Sequence, residues 1–128
     1  MENVLNDPAV RYYSAAKGIT KSDFLSIMVD LGLNLTQLTA LLPVSRRTIE
    51  KVKDEELLSP EVSDRVLRLA ALFDHGRVVF QSSDLFKQWL HRPVLALGDK
   101  CPIDFINNDT GISLVNDLLG RIEHGVYS

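Results

Sequence analysis

From Ser22 onward, apolar residues recur along this chain at the spacing of helix faces. Phe24, Ile27, Met28 and Leu31 fall at i, i+3, i+4 and i+7, which predicts a first helix that Gly32 stops. Asn34 is an N-cap for a second helix with Leu35, Leu38 and Leu41 or Leu42 inward, ended by Pro43. Ser45 caps a short third helix that turns Ile49 and Val52 inward. The run Ser59-Pro60-Glu61 places a capping hydroxyl, a first-turn proline and an acid in the order that opens a helix. Val62, Val66, Leu69, Phe73 and Phe80 then hold one stripe, with Gly76 expected to break or bend it. Ser82 or Ser83 caps a helix carrying Leu85, Phe86, Trp89 and Leu90, and Pro93 closes it. Residues 94–109 form a loop-rich connector with Gly98, Pro102 and a short turn over Ile103 to Ile106. A last helix follows Gly111, with Ile112, Val115, Leu119, Ile122 and Val126 as a narrow seam.

No segment alternates with the period of a strand, so the expected fold is all-α. The pattern divides into an arm at 1–16, a first lobe at 17–57 and a second at 58–128. The arm is weakly patterned and carries Pro8 and the pair Tyr12–Tyr13.

Composition narrows the function. Across 128 residues the hydrophobic share of 45% supports a packed interior and the charged share of 24% is ordinary. A lone cysteine, Cys101, cannot form an internal disulfide, which suits a reducing compartment. No leader or membrane-length apolar run is read in the chain, so a cytoplasmic location without membrane attachment is expected. The net charge of −3 argues against a general nucleic-acid binder, but the charge is uneven. Ser45 to Lys53 holds Arg46, Arg47, Lys51 and Lys53 against one acid, Glu50. That segment is +3 and the other 119 residues sum to −6. A basic spot on an acidic body can dock on phosphate while the remainder suppresses sequence-independent binding.

The string LTALLPVSRRTI, Leu38 to Ile49, has the parts of a helix-turn-helix: a support helix, a tight turn with Val44 as a plug, and a Ser45-capped second helix. Arg46, Arg47 and Thr48 occupy the first turn, where side chains reach base edges, and Ser45, Lys51 and Lys53 are placed for phosphates. The run resembles the helix-turn-helix of the Xre family. It departs at Thr39, where that family has alanine, and at Pro43, where it has glycine in the turn. Proline cannot take a positive φ, so the turn must be rebuilt.

A second resemblance covers about seventy residues of the C-terminal half. It rests on LSPEVSDRVLRLA at Leu58 to Ala70, FKQWLHRP at Phe86 to Pro93, ALGDKCPIDFI at Ala96 to Ile106 and LLGRIEHGVY at Leu118 to Tyr127. These strings are similar to antitoxins paired with RES-domain toxins, the Xre-type, ParS/MbcA-like type II family. The resemblance implies a toxin-binding domain, a NAD-consuming or ADP-ribosylating toxin as partner, a homodimer that forms a higher-order complex with toxin, and repression of the operon through operator DNA. It implies that Arg121, Glu123, His124, Gly125, Val126, Tyr127 and Ser128 block the toxin's active-site entrance. Residue chemistry adds that Gly125 ends the helix and releases a short tail that fits a pocket.

Other chemistries find little support. His75, His91 and His124 are scattered in sequence and read as surface histidines, with no metal-ligand spacing. Asp104 and Asp109 read as helix caps, and no glycine loop cradles a phosphate. No enzyme, cofactor or metal is expected. Trp89 reads as core rather than interface anchor, and Arg121 with Glu123 as a surface ion pair of little worth. Two alternatives stay open: a plain regulator whose C-terminal lobe dimerises, and a pure inhibitor with a degenerate helix-turn-helix.

Overall fold

A computed structural model describes residues 16–125 of the chain. The described residues form helices, with no sheet and only two isolated antiparallel bridges, Thr20 to Leu57 and Val94 to Lys100. The chain packs as two units that divide between Ala70 and Ala71, inside a continuous helix.

The first unit begins with α1, Lys21–Leu31, and its buried face is Phe24, Ile27 and Leu31 as the spacing predicts. Thr20 caps it by accepting the Asp23 N–H at 3.0 Å, and Gly32 ends it at φ 68°. Two more first-turn donors are satisfied from a distant loop: Lys21 N–H donates to the Glu56 carbonyl and Ser22 N–H to that of Asp54, each at 3.0 Å. Helix α2, Leu35–Thr39, opens with a reciprocal capping box between Asn34 and Gln37. Helix α3 is Arg46–Glu50 and α4 is Pro60–Phe80. Val62 N–H donates to Ser59 Oγ at 3.2 Å, which is the cap the Ser-Pro-Glu run announces.

Helix α2 is shorter than the apolar pattern predicts. It stops at Thr39 instead of reaching Pro43, and the backbone tightens to i→i−3 bonds from Leu41 to Leu38 and from Leu42 to Thr39. Leu41 and Leu42 are still buried, so the sequence placed them correctly in the core but in the wrong element. Arg65 on α4 reaches back to the Leu41 carbonyl at 3.3 Å and satisfies one group that the turn leaves over.

The segment before α1 is fastened to the start of α4. Leu58 N–H donates to the Ile19 carbonyl at 2.8 Å, and Ile19 N–H donates to Ser63 Oγ at 2.9 Å. Ser63 has no exposure and is invisible to an apolar-stripe reading. Gly18 sits at φ +95°, where an added Cβ would lie 2.4 Å from the Leu58 carbonyl oxygen, so the two segments approach this closely only because it is glycine.

The second unit contains the rest of α4, α5 (Ser83–Leu90), two 3₁₀ turns at Leu95–Leu97 and Pro102–Phe105, and α6 (Asp109–Glu123). Helix α4 runs through Gly76 without a break, because the glycine serves packing instead. A Cβ there would stand 2.3 Å from the ring of Phe86, which is fully buried. Phe86 meets Phe73 edge-on at 5.2 Å, and Phe80 and Trp89 complete the cluster, their centroids 5.5 Å apart. Trp89 is half-buried within it. Leu85, predicted inward with these residues, is instead 50% exposed on the far side of α5.

Helix α6 starts at Asp109, three residues before the predicted start after Gly111. Asn108 is the N-cap, accepting the Gly111 N–H at 2.8 Å. Gly111 lies inside the first turn, where a Cβ would stand 1.6 Å from the Phe105 carbonyl oxygen. Ile112, Val115 and Leu119 form the buried seam as predicted, joined by Leu118, and Val126 lies outside the described residues. Asp104 makes no side-chain cap on the Pro102–Phe105 turn, and Asp109 supplies an acid to the first turn of α6.

Replacing Ser63 with alanine should strand a buried backbone N–H at Ile19 and lower stability by about 1–3 kcal/mol. Urea unfolding should show this as a lower midpoint at unchanged slope. A variant as stable as the parent would show that the hydroxyl is dispensable.

Candidate functional site

The helix-turn-helix segment adopts the predicted arrangement by a different turn. Among the described residues, positive φ occurs at Gly18, Gly32, Gln81, Gly98, Asp99 and Gly125, and so nowhere in the turn between α2 and α3. Ending α2 early removes the need for the left-handed glycine, and Pro43 sits exposed in the link. Thr39 is only 7% exposed. It fits where alanine is usual by folding its hydroxyl back onto the Leu35 carbonyl at 2.8 Å. Val44 is half-buried, and Ile49 is 1% exposed.

The six residues singled out for DNA are all exposed but are not equivalent. Ser45 caps α3, accepting the Thr48 N–H at 3.2 Å, and its hydroxyl shares a 3.0 Å bond with that of Thr48. Arg46 is drawn back toward α2: its guanidinium donates to Thr36 Oγ1 at 2.6 Å and lies 3.5 Å from the Glu50 carboxylate. Arg47 on the same turn is exposed. Lys51 is the C-cap of α3, and Lys53 lies beyond it with its N–H on Glu56 Oε1 at 2.9 Å. Three exposed acids, Asp54, Glu55 and Glu56, follow directly, so residues 45–56 balance four cations against four anions. The count that stops at Lys53 misses this compensation.

A second feature gathers on the C-terminal half of α6. His75 on α4 stands between two α6 side chains, with Nδ1 2.7 Å from Asn116 Oδ1 and Nε2 3.1 Å from Glu123 Oε1. A neutral imidazole has one N–H, and the Asn116 amide can present either oxygen or nitrogen to the other ring atom. The clasp is therefore satisfiable whether the ring is neutral or protonated. Glu123 is committed to His75, not to Arg121 as the sequence suggested.

These residues line an open recess of about 410 Å³. Asn116, Gly120 and Glu123 form the helix row under His75, and Asp117, Arg121 and His124 form the neighbouring row. His75 and His124, though distant in sequence, thus line one open concavity, while His91 is exposed elsewhere on the surface. Helix α6 ends at Glu123 with His124 as C-cap, and Gly125 adopts φ 71°, so the helix stops where the glycine predicts. Of the seven tail residues named from the sequence, Arg121, Glu123, His124 and Gly125 are described, and Val126, Tyr127 and Ser128 lie outside the described residues. Sequence reasoning missed His75 and Asn116, which lie 48 and 7 residues from Glu123. No described helix is long and apolar enough to cross a membrane.

Comparison with known proteins bears on both features. Residues 11–71 match the family model of the antitoxin Xre-like helix-turn-helix domain, and residues 75–125 match that of the antitoxin Xre/MbcA/ParS C-terminal toxin-binding domain. The chain belongs to the Xre/MbcA/ParS antitoxin family. Among curated members, it is 33% identical over 86 residues to an antitoxin Xre of Yersinia enterocolitica, covering 66% of this chain and 57% of the relative. It is 34% identical over 85 residues to an antitoxin Xre of Photorhabdus laumondii, with 66% and 55% covered. A Prs ADP-ribosylating antitoxin of a Sphingobium species is 28% identical over 131 residues, with 94% and 82% covered. The alignments thus span little more than half of the two Xre relatives. The fold is shared with a chain from the crystal structure of the M. tuberculosis MbcT–MbcA toxin–antitoxin complex, at a TM-score of 0.62, 20% identity and coverage of 84% and 96%.

Replacing His75 with alanine should free the end of α6. The His124 and Gly125 amides, now bonded to the Gly120 and Ile122 carbonyls, should exchange hydrogen faster, while the Val115–Leu119 core stays protected. Unchanged exchange at both amides would show that the clasp does not hold the helix end.

Proposed function

We propose that this protein is an antitoxin of a type II toxin–antitoxin system. It neutralises a RES-domain toxin that consumes NAD or transfers ADP-ribose, by blocking the toxin's active-site entrance, and it represses its own operon. The observation that carries this reading is the tandem order within one chain, a helix-turn-helix match at 11–71 followed by a toxin-binding match at 75–125.

Toxin contact falls to the end of α6 and the segment beyond it. Arg121, His124 and Gly125 are exposed there, and Val126, Tyr127 and Ser128 continue the tail. Operator contact falls to α3, with Arg47 as the base reader because Arg46 is already engaged by Thr36 and Glu50. A guanidinium on guanine O6 and N7 is worth about 1–3 kcal/mol of discrimination. Two copies would set their recognition helices about one turn of B-DNA apart, ~34 Å, on a palindromic operator. This work needs recognition and occlusion, not catalysis.

The engagement of Arg46 and the acids at 54–56 favour one competing reading, an inhibitor whose helix-turn-helix no longer binds DNA. A gel shift with upstream DNA at defined salt separates the two.

Two variants should split the activities. Arg47→Ala should weaken operator binding by about tenfold or more and leave toxin neutralisation intact. Deleting residues 125–128 should restore toxicity on co-expression with the product of the adjacent gene while operator binding survives. If Arg47→Ala abolishes both activities, the arginine is structural; if the deletion leaves neutralisation whole, the tail does not block the toxin.

A further inference from the structure

Three glycines lie inside helices of the second unit, and two of them are forced. A Cβ at Gly76 would stand 2.3 Å from the Phe86 ring, and one at Gly111 would stand 1.6 Å from the Phe105 carbonyl oxygen. Gly120 is different. It sits in the body of α6, four residues before the C-cap, and an added Cβ would meet nothing within 4 Å. Its backbone is not in the left-handed region either, since the positive φ values among the glycines are those of 18, 32, 98 and 125. Glycine inside a helix is less favourable than alanine, because it gives up more chain entropy on ordering. Residue 120 therefore costs stability that no contact in the unit recovers. The empty volume above it lies in the recess, flanked by Asn116 and Glu123 along one helix row and by Asp117 and Arg121 on the next.

We propose that the recess above Gly120 is a binding pocket for a basic side chain, arginine or lysine, of the partner protein. The inference rests on the antitoxin reading given above and adds the chemistry of the contact. Two carboxylates, Asp117 and Glu123, face this volume against one guanidinium, Arg121. The recess also lies over the last turns of α6, the negative end of the helix dipole, where a cation is favoured. The aliphatic stem of a long basic side chain can lie along bare glycine backbone while its head reaches the acids. The two imidazoles differ in role. His75 is a positioning residue: it holds Asn116 and Glu123 in register on either side of the glycine and leaves the Asp117, Arg121 and His124 row to face outward. Glu123 is an anchor of the pocket wall, and a partner would meet it only through the oxygen His75 leaves over.

The test measures stability and partner affinity on the same full-length variants, with the adjacent-gene product as the titrated partner. Gly120→Ala should raise the melting temperature by about 3 °C. The same methyl group should weaken the complex by about tenfold, and Gly120→Leu should weaken it further. Opposite signs for folding and binding are the signature of a pocket kept open for a ligand. Asp117→Asn should weaken the complex without lowering stability. His75→Ala should weaken it too, with His75→Gln, which keeps a donor for Glu123, recovering part of the loss. Full affinity in Gly120→Leu and Asp117→Asn alongside a tight wild-type complex would overturn the pocket and leave the antitoxin reading standing. A Gly120→Ala protein that melts lower would show that the glycine serves the fold, which also overturns the pocket. A wild-type chain that fails to bind the adjacent-gene product would overturn the antitoxin reading itself.

Discussion

The second unit depends on one close approach, the ring of Phe86 laid on the bare backbone of Gly76. Because residue 76 has no Cβ, α5 can settle against α4 at the distance of a single aromatic ring, and the ring is fully buried. Volume changes of one methyl group are felt at such a contact, since protein interiors are packed like organic solids. The other elements follow from it. The Pro102–Phe105 turn packs against both α5 and α6. Its last carbonyl rests on Gly111, which fixes the entry of α6, and His75 returns from α4 to hold the far end of α6 at Glu123. The circuit closes on the helix where it began. A recess at the end of α6 can have a defined shape only because both ends of that helix are tied.

The same circuit explains which features the sequence reveals. Helix faces built from large apolar residues were legible, because burial follows local periodicity: Phe24, Ile27 and Leu31, or Ile112, Val115 and Leu119, need only their own spacing to be recognised. Several caps were legible from local residue order, Asn34, Ser45, Ser59 and Ser82 among them, whereas Thr20 and Asn108 were not singled out. What escaped was pairing across long separations. Ser63 accepts from Ile19 over 44 residues, and His75 reaches Glu123 over 48. No local pattern encodes a polar residue whose partner lies on another element. Gly76 and Gly111 were misread because a glycine within a helical pattern signals either a break or a close contact, and only the neighbour decides between them. Gly120 left a usable trace, since it interrupts a polar row, Asn116 to Glu123, on a helix whose apolar seam is otherwise complete.

Length of the second helix was the clearest local error, and it has a local cause. The apolar spacing of Leu38, Leu41 and Leu42 fits an α-helix up to Pro43, yet Thr39 turns its hydroxyl onto the Leu35 and Thr36 carbonyls and the chain tightens from there. Threonine competes for backbone acceptors in this way. The consequence reaches the turn. A shorter α2 lets Leu41 and Leu42 fill the interior from a tightened link, so a proline is tolerated where a left-handed glycine is usual.

On the operator-binding reading proposed above, charge in the first unit argues for selectivity over strength. A strong non-specific binder needs uncompensated cations, since affinity comes from displaced counterions. Here the recognition segment carries as many anions as cations once Asp54, Glu55 and Glu56 are counted, and Arg46 is further engaged with Glu50. Phosphate attraction summed over the segment is therefore weak, and random DNA gains little from it. What remains is an exposed Arg47 held on a capped first turn, whose contribution depends on meeting the right base. Weak backbone attraction with one oriented reader makes occupancy depend on bringing several readers to one site at once, because linked contacts multiply where single ones fail. On that reading, a chain built this way binds DNA effectively only where several copies of the reader meet one site.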